Sequence, residues 1–97
     1  MKLPSPTEMG LLEALGPREI SGRDLAKRYE KETGKSISYG TLYTTMRRLK
    51  EDGWIEARDS DEGDRRVRLF KISGTGAKVL PKAREARTLF RGEELGI

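Results

Sequence analysis

Between Ser38 and Asp52 the chain places its apolar residues with the period of an α-helix, and this run limits the possible architectures more than any other. Leu42, Met46 and Leu49 stand at i, i+4 and i+7, Tyr39 and Tyr43 lie at one margin, and Gly53 closes the run. At about 100° per residue, Thr41, Thr44, Thr45, Arg47 and Arg48 are expected on the opposite, solvent-facing arc. Such a helix must bury its oily back in a small core and present hydroxyls and guanidinium groups outward. The plainer alternative is a solvated amphipathic helix that only covers a core.

The flanking sequence supplies the rest of that core. Pro4 and Pro6 mark an extended start, and a first helix is expected from Thr7, as N-cap, to Leu15, with Met9, Leu12 and Leu15 inward and Gly16-Pro17 as its stop. Ser21-Gly22-Arg23-Asp24 has the form of a capping box and opens a second helix. Leu25, Ala26 and Tyr29 form its apolar stripe, Lys27, Arg28, Glu30, Lys31 and Glu32 its wet face, and Gly34 its left-handed end. Beyond Gly53, Trp54 to Arg58 alternates, Asp59 to Asp64 is a polar turn containing Gly63, and Arg65 to Ile72 returns, which predicts a hairpin. Ser73 caps a last helix, where Val79, Ala83, Ala86 and Phe90 recur at steps of four, three and four. Pro81 inside that pattern predicts a bend or restart near Val79 or Leu80.

Three helices, a two-stranded wing and a C-terminal helix, α+β but mostly α, make the element order of a winged helix-turn-helix domain. The expected division is an extended segment over 1–6, the winged domain over 7–76, and a C-terminal helix for dimerisation over 77–97. In this arrangement the third helix is presented to a DNA major groove about 12 Å wide. Its candidate contacts are Ser38, Tyr39, Thr41, Thr44, Thr45, Arg47 and Arg48, because hydroxyls suit phosphates and base edges and an arginine can fork onto guanine. Arg48, one turn after Thr44, is the first choice for a base contact, and Arg47, nearer the edge, for phosphate. Ser38 is also the N-cap, and Tyr43 is expected as a core or edge residue. Arg65, Arg66 and Arg68 are the wing's candidates, but Asp61, Glu62 and Asp64 repel phosphate unless they point away or pair with those arginines. In that second case the wing is a self-neutralised surface hairpin. The stripe Val79, Ala83, Ala86, Phe90 is expected to meet a second copy, the alternative being packing onto its own domain.

Composition removes whole classes of function. The 97 residues include no His and no Cys, which excludes zinc fingers, disulfides, thiol nucleophiles and imidazole bases. No cofactor or metal is expected, and an enzyme is the weakest reading because no motif places a paired set of catalytic groups. No signal peptide or membrane span is apparent, so a cytoplasmic protein is expected. The formal charge of +4 comes from 20 basic and 16 acidic residues spread along the chain, which makes net charge weak support for a nucleic-acid partner. Gly34-Lys35-Ser36 and Gly74-Thr75-Gly76-Ala77-Lys78 resemble fragments of phosphate loops, but neither has the full glycine spacing after a strand.

The stretch from Ser38 to Glu56 is similar to the G-T-L-Y-x-x-L-x-x-L-x-x-x-G-x-I-E core of the PadR family of bacterial winged-helix transcriptional regulators, with Met46 in place of a leucine. Arg65 to Gly76 resembles the same family's R-R-x-x-x-Y-x-L-T-x-x-G wing-to-helix junction, with Ile72-Ser73 for Leu-Thr. The resemblance covers roughly Thr7 to Leu80. It implies a homodimeric, usually repressing protein that binds double-stranded DNA at an inverted-repeat operator, with the last helix pairing the subunits. The sequence after Pro81 is short beside the C-terminal half of longer family members, so no dedicated small-molecule effector site is expected. The rival reading is a winged-helix protein-interaction module without DNA binding, which the acidic wing tip favours.

Overall fold

The computed structural model describes residues 3–63 and 65–94, and at positions 62, 65 and 89–94 the backbone alone. The order is α1 (Pro6–Leu15), β1 (Ile20–Ser21), α2 (Gly22–Thr33), α3 (Tyr39–Glu51), β2 (Ile55–Glu62), β3 (Arg65–Ile72) and α4 (Gly74–Glu94). The strands form one antiparallel sheet in the order β1-β3-β2, completing a winged helix.

Local chemistry sets the helix ends. α1 begins two residues earlier than expected: Ser5, not Thr7, is the N-cap, its Oγ accepting the Glu8 N–H at 3.2 Å while the Ser5 N–H donates to Glu8 Oε1 at 2.8 Å. Pro6 explains the shift, since a proline in the first helical position has no N–H to leave unpaired. In α2, Ser21 Oγ accepts the Asp24 N–H at 3.1 Å, and Gly34 takes the left-handed conformation (φ 72°, ψ 8°) that ends the helix. Arg28 is exposed, as expected of the wet face, and donates from Nη1 to the carbonyls of Ala14 and Leu15 at 2.9 and 3.2 Å. It closes the C-terminal end of α1, where the last helical carbonyls lack partners, and so ties α2 across α1. Between α2 and α3 the Ile37 N–H donates to Glu30 Oε2 at 3.0 Å, and Ser38 caps α3.

The core gathers Leu11, Leu12, Leu15, Leu25, Leu42, Met46 and Leu49, all essentially fully buried, with Trp54, Ile55, Phe70 and Val79 around them. Burying each large apolar side chain contributes roughly 1.5 to 3 kcal/mol. β1 went unforeseen because two residues carry no period; its Ile20 stands opposite Phe70 and seals one edge of this core.

The wing is longer than expected. β2 does not stop at Arg58 but runs through Asp59, Ser60 and Asp61 to Glu62, with Asp59 opposite Arg68, Asp61 opposite Arg66 and Glu62 opposite Arg65. Opposite charges directly across an antiparallel pair favour pairing, so residues that look like a turn in one strand's composition become strand when the other strand is beside them. Gly63, at φ 63°, lies at the reversal.

At the wing's base, Ser73 joins three elements. Its Oγ donates to the Gly53 carbonyl at 2.6 Å and accepts the Gly76 N–H at 3.0 Å, and its N–H donates to the Trp54 carbonyl at 3.0 Å. α4 runs on through Pro81 without a restart. Pro81 is exposed, while Val79 and Ala83 on either side are buried against the domain and hold the helix across the missing hydrogen bond.

Candidate nucleic-acid interface

α3 sorts its side chains into three rows. Leu42, Met46 and Leu49 face the core and are accompanied by Thr45, which is 8% exposed and donates from Oγ1 to the Thr41 carbonyl at 2.7 Å. Placing Thr45 on the solvent-facing arc is therefore corrected: it lies only about 60° from the centre of the apolar face, and its hydroxyl is satisfied within the helix. The outward row is Thr41, Thr44 and Arg48, all exposed. Ser38 Oγ accepts the Thr41 N–H at 3.1 Å and donates to Thr41 Oγ1 at 3.0 Å, so the cap occupies Ser38 and leaves the Thr41 hydroxyl proton to point outward.

The third row faces the wing: Tyr43, Arg47 and Lys50, at i, i+4 and i+7. Tyr43 rests on Phe70 of β3, ring centroids 6.0 Å apart, and its hydroxyl lies where a Cβ on Gly22 would be, so the glycine lets α2 and α3 approach closely. The Tyr39 ring lies tilted against that of Tyr43, centroids 6.5 Å apart, and is half exposed at the first turn. Lys50 was not singled out from the sequence; its place in the Tyr43, Arg47, Lys50 row was the signal that could have found it.

Between this row and the wing lies a cleft of about 460 Å³. Met46, Ala57 and Phe70 form its floor, and Arg47, Lys50 and Arg68 its cationic lining, with no acid among the described residues that line it. Arg66 is exposed nearer the tip, opposite Asp61, and the Arg65 side chain lies outside the described residues. Arg68 Nη1 is 3.4 Å from Asp59 Oδ1, both side chains being over two-fifths exposed. On the other face of the hairpin, Arg58 donates to both oxygens of Glu19 at 2.6 and 2.8 Å, anchoring the wing to the loop before β1. That paired hydrogen bond holds the Glu19 carboxyl below the ordinary carboxylate range and raises the Arg58 guanidinium further.

The stripe on α4 is partly spent inside the protomer. Val79 and Ala83 are buried at 7% and 4% exposure against the chain's own core, which corrects the expectation of a free face at those positions. Helices α1 to α3 leave a gap that α4 fills. Ala86 is half-buried and lines an open groove of about 840 Å³ with Leu3, Pro4, Met9 and Ala83, while the Phe90 side chain lies outside the described residues. Among the described residues no acidic cluster could hold a metal ion, and no helix is long and apolar enough to cross a membrane.

The model of the transcriptional regulator PadR-like family matches residues 11–82. No curated protein sequence matches the chain. Among solved structures, Bacillus subtilis PadR in complex with operator DNA is similar at 21% identity and a TM-score of 0.71; the match takes in 79% of this chain and 45% of that one, so this chain spans under half of that protein's length. A transcriptional regulator from Clostridium thermocellum matches at 22% identity and a TM-score of 0.81, over 93% of this chain and 90% of that one. A PadR family transcriptional regulator from Eggerthella lenta matches at 26% identity and a TM-score of 0.75, over 92% and 77%. With the family model spanning both α3 and the wing, the chain belongs to the PadR-like family of transcriptional regulators.

Proposed function

We propose that this protein is a cytoplasmic, non-enzymatic transcriptional repressor that binds an inverted-repeat operator as a homodimer and reads it with α3. The observation that carries this reading is the outward row Thr41, Thr44 and Arg48: exposed donors on a helix whose other side is locked into the core by Leu42, Thr45, Met46 and Leu49. A rigidly seated helix with outward-facing hydroxyl and guanidinium groups meets the geometric need of major-groove readout. The operator-bound structure of the similar Bacillus subtilis PadR supports the partner class. Paired subunits would set two such helices about 34 Å apart, one helical turn of DNA. The groove beside Ala86 and the helix that continues to Phe90 are the surfaces for that pairing.

The test is selection of bound duplexes from a random or genomic pool, followed by titration of the recovered site. Arg48→Ala is expected to weaken that site by about 1 to 3 kcal/mol and relax preference at one base pair in each half-site. Unchanged affinity and preference would remove α3 from the interface. The protein-interaction reading has one observation in its favour, the matched charges along the wing, where Asp59, Asp61 and Glu62 stand opposite Arg68, Arg66 and Arg65. Failure of micromolar protein to retard any duplex at low salt would select it.

A further inference from the structure

We propose that the cleft between α3 and the wing seats a backbone phosphodiester held by Arg47, Lys50 and Arg68, and that Asp59 tempers this seat by competing with the phosphate for the Arg68 guanidinium. The inference rests on the DNA-binding reading and adds a site and a residue that sets its strength. The cleft is one-signed, with three cations and no acid among its described lining residues, on a chain whose charges are otherwise closely interleaved. Its floor of Met46, Ala57 and Phe70 is apolar, so the cations have low-dielectric material behind them and water in front. A strand of duplex running between a helix in one groove and a wing beside it passes this opening, and a phosphate oxygen accepts charge-assisted hydrogen bonds from lysine and arginine.

Asp59 is the second half of the device. It lies directly across from Arg68 on the face of the hairpin that also carries Ala57 and Phe70, and its Oδ1 is 3.4 Å from Nη1. The pair is long and exposed, so it is weak enough for a phosphate to displace. An exposed pair of this kind is worth at most about a fivefold factor. Each duplex bound must draw Arg68 away from Asp59, whatever its sequence. Asp59 therefore lowers affinity for all DNA alike and leaves discrimination to the outward row of α3.

The experiment titrates the full chain against fluorescently labelled duplexes, one a selected site and one unrelated, from about 50 to 200 mM salt. Asp59→Asn is expected to tighten both by about two- to fivefold. Lys50→Ala is expected to weaken both by about three- to tenfold and to lower the salt slope by about one. Glu56→Gln supplies the control, since it makes the same charge change on the opposite face of the hairpin, across from Lys71; it should move affinity less than Asp59→Asn does. With Arg68→Gln in place, Asp59→Asn should lose its advantage over Glu56→Gln. All four positions are exposed, and thermal melts confirm that the variants fold. If the wild-type chain binds DNA but Asp59→Asn tightens it no more than Glu56→Gln, or Lys50→Ala alters preference between duplexes, the proposed seat is wrong and the DNA-binding reading stands. If the wild-type chain binds neither duplex, both fall together.

Discussion

Replacing Gly76 by alanine tests the joint between the wing and α4. Gly76 is buried in the first turn of α4, and a Cβ there would overlap the backbone carbonyl oxygen of Trp54 and stand 2.9 Å from Ile72 Cγ1. The carbonyl cannot swing aside as a side chain would, because it already accepts the Ser73 N–H at 3.0 Å and belongs to the turn between Gly53 and β2. Relief requires α4 to lift, which disturbs the packing of Val79 and Ala83. Overpacking a tight core costs about 1 to 3 kcal/mol, and a backbone clash belongs at the upper end of that range. Alanine returns about 0.5 to 1 kcal/mol as the better helix former, leaving a net loss of about 2 kcal/mol. For a domain of this size that lowers Tm by roughly 8 to 16 °C. The control is Gly74→Ala, where a Cβ meets nothing within 4 Å and stability should hold or rise slightly. Circular dichroism melts at a fixed protein concentration, needed because any self-association would shift apparent stability, read both variants. Equal melting of Gly76→Ala and the wild type would refute the close approach of α4 to Trp54.

Thr45→Val should leave DNA affinity unchanged within twofold, as about 0.4 kcal/mol, and stability within about 1 kcal/mol, because its methyls replace a hydroxyl bonded only to Thr41 O; a loss of binding comparable to Arg48→Ala would return Thr45 to the interface. Arg28→Ala should lower stability by about 1 kcal/mol in urea denaturation, through the carbonyls of Ala14 and Leu15 that lose their donor, without changing salt dependence of DNA binding. The Glu19–Arg58 pair predicts an acid limb. Because the folded Glu19 carboxyl titrates below its ordinary value, its contribution is full above about pH 4.5 and disappears as pH falls through the lowered value. Urea midpoints of wild type and Arg58→Ala should therefore converge as pH falls below about 4.5; a gap that persists at acid pH would assign the wing's anchor to something else.

What the sequence makes legible is the part of the fold governed by neighbours along the chain. The i, i+4, i+7 spacing of Leu42, Met46 and Leu49 places α3, and the serines at 21, 38 and 73 mark helix starts because capping bonds reach only three residues ahead. The departures in the sheet involve a partner distant in sequence. β1 exists because Ile20 finds Phe70, fifty positions away, and Asp59 to Glu62 become strand because three arginines stand across from them. Arg28 keeps its exposed place, and what the sequence could not show is that its guanidinium reaches two carbonyls at the end of α1. Thr45 is a different case: a single arc drawn opposite three apolar residues was too wide, and the angle alone was enough to place it beside them.

Net charge alone says little about the partner this protein selects. From Ile55 to Ile72 the chain carries five acids and five bases, so the wing as a whole is neutral, while α3 carries three bases and one acid. The usable field is thus concentrated on one helix and on Arg68, the wing arginine that lines the cleft beside it. Long-range attraction of such a chain to DNA is weak and is screened beyond about 8 Å at physiological salt. Binding that survives at that ionic strength must come from contacts made at close range, which the proposed reading assigns to the outward row of α3 on bases and the cationic cleft on phosphate. A wing stripped of its acids would bind operator and unrelated DNA more tightly by the same factor, which leaves the ratio between them unchanged. Matched charges along β2 and β3 therefore set the strength of the sequence-blind part of the proposed interaction, and they leave the ratio between sites to the outward row of α3.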